Sequence, residues 1–97
     1  MSRREYDIEI AVKGWAIKKV VIDSHYEFKN ADSVDDPIIL ALIRRLDGKD
    51  FQPNDIDGPF QYFSTEVMEL EGRKYKLVWL LENDAPYIGV VNAYRRK

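Results

Sequence analysis

The chain has 97 residues, of which 45% are hydrophobic and 33% charged, and its formal net charge is −2. This apolar content is too high, and the net charge too small, for an intrinsically disordered protein. The absence of cysteine excludes a disulfide framework and a thiolate zinc site, and a single histidine excludes a histidine cluster for a metal. No apolar run approaches the ~20 residues of a membrane span, and the charged first residues do not match a signal peptide. We therefore expect one cytoplasmic domain over residues 1–97.

A β-hairpin is predicted at the start of the chain. Apolar and polar residues alternate over residues 6–13, which is the period of two typical of a half-buried strand. Gly14 interrupts this pattern and can take the positive φ that a tight hairpin turn requires. Residues 15–22, rich in β-branched side chains, form the second predicted strand.

One helix is predicted over residues 37–46. Two starts compete, because Ser33 and Asp36 have the spacing of a capping box, while Asp36 before Pro37 also fits an N-cap followed by proline. At the other end Gly48 can provide the C-terminal cap. The apolar side chains form a single stripe, made of Ile38, Ile39, Leu42, Ile43 and Leu46.

A loop and a three-stranded meander complete the predicted fold. The loop, residues 47–59, contains Gly and Pro and is long for a compact domain. A slip in the apolar pattern of the first meander strand predicts a β-bulge between Tyr62 and Thr65. The three strands span residues 60–70, 75–81 and 87–94, and the middle one is apolar on both faces, as in a central strand. The order β-β-α-β-β-β predicts an α+β domain with one main helix packed on an antiparallel sheet.

Several kinds of catalytic site lack their parts in this sequence. The glycines are too scattered for a phosphate-binding loop, and Ser24 beside His25 does not make a triad, because adjacent residues of an extended chain point apart. His25 is the one side chain that titrates near neutral pH, and it follows the end of a predicted strand. It is either an ordinary surface or half-buried residue, or a functional one that acts as a general acid or base or donates to a phosphate oxygen.

Positive charge is concentrated at the end of the last strand. Tyr94 and Arg96 share one face of that strand, where an arginine beside a tyrosine can clamp a phosphate and supply a proton or a stacking surface. Further basic residues could extend this patch toward a substrate, and the alternative is that each is simply a solvated charge. These candidate binding residues are Arg44, Arg73, Lys76 and Arg95.

The order of elements and two local patterns resemble a known family. A strand that ends in a histidine (residues 20–25, VVIDSH), then a helix, then a meander that closes on residues 90–96 (VVNAYRR) is similar to the small RelE/BrnT-like toxins. These are bacterial ribonucleases of toxin–antitoxin pairs with a helix-on-sheet fold. The resemblance implies RNA cleavage by attack of a 2′-hydroxyl on the adjacent phosphate, with an antitoxin-like protein as a partner and with no metal or other cofactor. It assigns proton transfer to His25 and transition-state stabilisation to Tyr94 and Arg96.

A second hypothesis is a non-catalytic interaction module. The balanced charge and twelve aromatic residues also suit a domain that binds a protein partner through a sheet edge or an aromatic groove, or that forms a homodimer through an edge. The two hypotheses differ in geometry. A ribonuclease needs His25, Tyr94 and an arginine within about 10 Å of one another, since all must reach one phosphate.

Overall fold

The computed structural model of the chain describes residues 3–23 and 34–96. Within these residues one helix and six strands confirm the predicted α+β class. In chain order the elements are β1 (Arg3–Val12), β2 (Trp15–Asp23), α1 (Asp36–Arg44), β3 (Asp55–Asp57), β4 (Phe60–Leu70), β5 (Arg73–Glu82) and β6 (Tyr87–Arg96).

The described strands form one mixed sheet in the order β1-β2-β6-β5-β4-β3. The last strand of the chain lies between the first hairpin and the meander, and it pairs antiparallel with β5 and parallel with β2. In the parallel pair, Val20 lies opposite Ile88 and Ile22 opposite Val90. The prediction of a purely antiparallel sheet was therefore wrong, because hydrophobic alternation identifies a strand without showing which neighbours it has.

The first hairpin and the central strand of the meander are confirmed. Lys13 and Gly14 both take positive φ, at 55° and 76°, as a two-residue hairpin turn with the right twist requires. β5 lies between β4 and β6, and one face of it is fully buried, as its apolar pattern predicted.

The predicted loop over residues 47–59 contains a short edge strand, so its description as a structureless loop was wrong. β3 pairs antiparallel with the start of β4, with Ile56 opposite Gln61. The side chain of Asn54 holds the two segments together, since its Oδ1 accepts a hydrogen bond from the backbone N–H of Ser64 at 2.7 Å. A three-residue strand made of Asp, Ile and Asp has no recognisable periodicity, and it forms by pairing with the start of β4 across the two-residue turn at Gly58 and Pro59.

The bulge in β4 also lies elsewhere than predicted. Tyr62 to Thr65 pair regularly with β5, and the register shifts only between Thr65 and Met68. The apparent slip arises because both faces of β4 carry an aromatic residue. Phe63 is buried on the helix side, while Tyr62 lies half-buried on the opposite face.

The helix begins between the two predicted starts, two residues later than an N-cap at Ser33 implies and one residue earlier than an N-cap at Asp36 implies. Asp35 is the N-cap, and its Oδ1 accepts a hydrogen bond from the N–H of Ile38 at 3.1 Å. Asp36 lies in the first turn and binds Arg4 of β1. The helix ends with Arg45 as C-cap, and Gly48 lies three residues further on, at the end of the turn that follows.

The core lies between α1 and one face of the sheet. Trp79 of β5 is fully buried at its centre, stacked on Phe63 at 4.1 Å between ring centroids and in edge contact with Phe51 at 5.3 Å. Ile39 and Leu42 of α1 belong to the same buried cluster as Trp79. The helix therefore covers one face of the sheet, and we call the opposite face the outer face.

Candidate functional site

The outer face carries three of the residues that the sequence singled out, namely Lys76, Tyr94 and Arg96. Lys76 of β5 and Tyr94 of β6 lie directly opposite each other, and both are half-buried. The Nζ atom of Lys76 stands 5.8 Å from the centroid of the Tyr94 ring, within the range of a cation–π contact. The next pair along the strands on this face, in register, is Lys74 with Arg96. The fold thus brings Lys76 and Tyr94 into contact and sets Arg96 beside Lys74 in the ladder.

The other candidate binding residues lie on the helix side. Arg95 pairs with the buried Tyr75, on the face opposite Lys76 and Tyr94. Arg73 lines a cleft of about 200 Å³ between the sheet and the start of α1. Arg44 is exposed in the last turn of α1. Arg44, Arg73 and Arg95 are therefore not brought together with Tyr94 on the outer face.

His25 lies outside the described residues, so its distance from Tyr94 is not part of the structure. The structure does define the directions of β2, the strand that precedes His25 in the chain, and of β6, which carries Tyr94. Because β2 and β6 run parallel, β2 ends at Asp23 at the same end of the sheet as β6 does. Tyr94 lies four residues beyond Val90, the partner of Ile22, or about 13 Å further along β6.

Positive charge is concentrated where β5 begins and β6 ends. Within the described chain, this end of the sheet combines five basic residues of β5 and β6 with three acidic residues of β4 and the following turn. A chain whose overall net charge is −2 therefore has a distinctly basic end. The basic residues are Arg73, Lys74, Lys76, Arg95 and Arg96, and the acidic ones are Glu66, Glu69 and Glu71.

The outer face also has a cleft that sequence reasoning missed. Its volume is about 380 Å³, and residues of β1, β2, β4, β5 and β6 line it. Finding it requires the strand order, because only the insertion of β6 between β2 and β5 brings these residues together. The lining includes Arg3, Val21, Tyr62, Leu80, Tyr87 and Gly89.

Tyr87 forms one end of this cleft and keeps its proton over a wide pH range. Partial burial raises the pKa of Tyr87 to about 12, and the hydrogen bond that its hydroxyl donates to Glu82 Oε1 at 2.8 Å contributes to the rise. The positive charge of Arg3 acts on the same pKa in the opposite direction. The cleft therefore presents a neutral phenol near neutral pH.

A second ionic cluster joins the sheet to the helix and has a structural role. Asp36, in the first turn of α1, binds the guanidinium of Arg4 and accepts a hydrogen bond from the hydroxyl of Tyr6. That hydrogen bond is the main cause of a raised pKa at Tyr6. Since Arg4 and Asp36 are both mostly buried, the cluster ties β1 to the helix start.

No protein-family model, curated protein or solved structure matches this chain. Among the described helices there is none with the length and apolar character needed to cross a membrane. Residues 3–23 and 34–96 also contain no group of three His, Cys, Asp or Glu side chains placed to bind a metal. The function is accordingly argued from the chain's own residues, and its relation to the RelE/BrnT-like toxins stays a prediction.

Proposed function

We propose that this chain is an endoribonuclease that binds single-stranded RNA on the outer face of its sheet. The observation that carries the proposal is the contact between Lys76 and Tyr94 at the basic end of that face. Lysine supplies positive charge to a phosphate, and tyrosine supplies a hydroxyl donor and a ring on which a base can stack. The antiparallel ladder between β5 and β6 sets the backbones of the two residues directly opposite each other.

The proposed reaction requires one proton acceptor, one proton donor and charge stabilisation at a single phosphate. The ribose 2′-oxygen bonds to the adjacent phosphorus, while the bond from phosphorus to the 5′-oxygen breaks. His25 takes the proton of the 2′-hydroxyl, and the hydroxyl of Tyr94 donates a proton to the departing 5′-oxygen. Lys76, Tyr94 and Arg96 stabilise the extra negative charge of the transition state. The products are a 2′,3′-cyclic phosphate and a 5′-hydroxyl end.

A cleavage assay with a chemical end-group readout tests this proposal. Purified chain should cut single-stranded RNA in the presence of EDTA and leave 2′,3′-cyclic phosphate ends, while DNA of the same sequence stays intact for lack of the 2′-hydroxyl. His25→Ala should lower the cleavage rate by about 100-fold or more, since general acid–base catalysis contributes that much. RNA that remains intact, or a His25→Ala variant with the wild-type rate, would contradict the proposal.

A binding assay separates the role of Lys76 from general charge effects. Lys76→Ala should weaken RNA binding and reduce the slope of log K against log salt by about 0.7 to 1, as expected for one lost phosphate contact. Lys49→Ala is the matched control, because Lys49 is an exposed lysine just beyond α1 and makes the same charge change away from the outer face. Equal effects of the two variants would show that the outer face has no special role.

The second candidate function is protein binding through the sheet edge. β1 is an edge strand, and only its last residues are covered, where the carbonyl of Ala11 accepts a hydrogen bond from the N–H of Gly48 at 2.7 Å. Such an edge can accept a strand of an antitoxin-like protein or of a second copy. Light scattering detects the homodimer, and a strictly monomeric chain that captures no partner in a pull-down would contradict this function.

A further inference from the structure

The cleft on the outer face has the lining of a site for a flat, aromatic ligand. Its floor is apolar, with Leu80 of β5 beside Gly89 of β6 and Val21 of β2. Tyr62 of β4 lies opposite Leu80 and provides an aromatic wall on one side. Its volume of about 380 Å³ falls within the range of small-ligand pockets.

Gly89 keeps the floor of this cleft flat. A Cβ atom at position 89 would lie 2.9 Å from both Cγ and Cδ1 of Leu80, which is closer than real Cβ contacts allow. The glycine therefore lets the Leu80 side chain lie across the neighbouring strand. The result is a smooth apolar surface on which a planar ring can rest.

Polar groups at the rim favour a base over a purely apolar ligand. Tyr87, fixed by its hydrogen bond to Glu82, closes one end of the cleft, and Arg3 of β1 borders it. The nearby carboxylates are already engaged, since Glu82 accepts from Tyr87 and Glu5 forms an ion pair with Lys19 at 3.3 Å. Guanidinium donors and aromatic rings are the groups that proteins use to hold unpaired bases.

The cleft and the phosphate site lie on one continuous face. Leu80 is four residues from Lys76 on β5, and both lie on the outer face, so the two sites are about 13 Å apart along the strand. One RNA strand can therefore occupy both. We propose that the cleft binds a nucleobase of the RNA strand whose backbone phosphate contacts Lys76. This inference rests on the proposed function, because it takes the same strand as the ligand.

The experiment compares two short single-stranded RNA oligonucleotides, one intact and one in which all the bases are replaced by abasic residues. Tyr62→Ala should weaken binding of the intact oligonucleotide by about five- to 150-fold, the loss expected for one stacked base, and should leave binding of the abasic one unchanged. Tyr62→Phe, which keeps the ring, should bind both like the wild type. Lys76→Ala should weaken the binding of both oligonucleotides equally.

Each result bears on the base site separately from the proposed function. Equal effects of Tyr62→Ala on both oligonucleotides would overturn the base site, while sensitivity to Lys76→Ala would still support RNA binding. If the wild type binds neither oligonucleotide, the proposed function fails. A titration with adenosine, followed by NMR, then tests whether the cleft binds a nucleobase. Shifts of the Leu80 and Gly89 signals would support it, and their absence would overturn it. A dimer that buries this face and excludes adenosine would also overturn it.

Discussion

The ionic cluster around Asp36 provides a quantitative test of how the helix is attached to the sheet. The Asp36 side chain is 18% exposed and that of Arg4 is 24% exposed. Two nitrogens of the Arg4 guanidinium donate to the carboxylate, the longer contact being 2.8 Å. Breaking a fully buried pair costs about 3–5 kcal/mol, whereas an exposed pair contributes about 0–1 kcal/mol. For a pair buried to roughly four-fifths, we expect Asp36→Asn to lower the free energy of unfolding by about 2–3 kcal/mol.

Thermal and urea unfolding followed by circular dichroism measure this loss. For a domain of this size it corresponds to a decrease in Tm of roughly 8–24 °C. Glu9→Gln is the matched control, because the Glu9 side chain is 86% exposed and lies 3.8 Å from Lys18. That variant should change the stability by less than about 0.5 kcal/mol.

A second readout reports on the same cluster without unfolding the protein. The hydrogen bond to Asp36 is the main cause of the raised pKa of Tyr6, so Asp36→Asn should bring that pKa back toward its usual range. The reasoning would be refuted if Asp36→Asn were as stable as Glu9→Gln and the ionisation of Tyr6 did not change. Such a result would mean that the helix is held by its apolar face alone.

Three further predictions concern single contacts. Thr65→Val should cost about 1–3 kcal/mol in urea unfolding, because it removes the acceptor of the buried Trp79 indole N–H, whereas Thr65→Ser should restore the stability. Gly89→Ala should cost about 1–3 kcal/mol through its clash with Leu80, and adding Leu80→Ala should give a double variant more stable than the sum of the two losses predicts. The pKa of Tyr87 is raised to about 12 from 10.0, so its contribution to stability is complete below pH 10 and is lost as the pH rises toward 12. Tyr87→Phe should therefore show a smaller decline of Tm over that interval.

Local patterns in the sequence were sufficient to predict the elements that interactions between nearby residues determine. The hairpin turn at Lys13 and Gly14 follows from the conformational freedom of glycine and from the alternation on either side of it. β5 follows from an uninterrupted apolar row in which Leu77 and Trp79 face the helix. In both cases the residues that decide the structure are within a few positions of one another.

Features that depend on distant partners were not predictable in this way. The parallel pairing of Val20 with Ile88 joins segments 68 residues apart, and no local pattern indicates it. The same limit applies to the functional site. The sequence identified Tyr94 and Lys76 as separate candidates, but their contact depends on the register between β5 and β6.

The charge distribution shows why the overall net charge is a poor guide to RNA binding here. Several carboxylates near the helix are used within the fold: Asp35 caps α1, Asp36 binds Arg4, and Asp47 accepts a hydrogen bond from the N–H of Ala11 at 2.9 Å. These contacts offset part of their negative charge where they lie. Interactions between exposed charges are also screened beyond about 8 Å at physiological salt, so the groups beside a phosphate decide its binding. A chain with a net charge of −2 can therefore attract RNA at the end of its sheet where basic residues are in the majority.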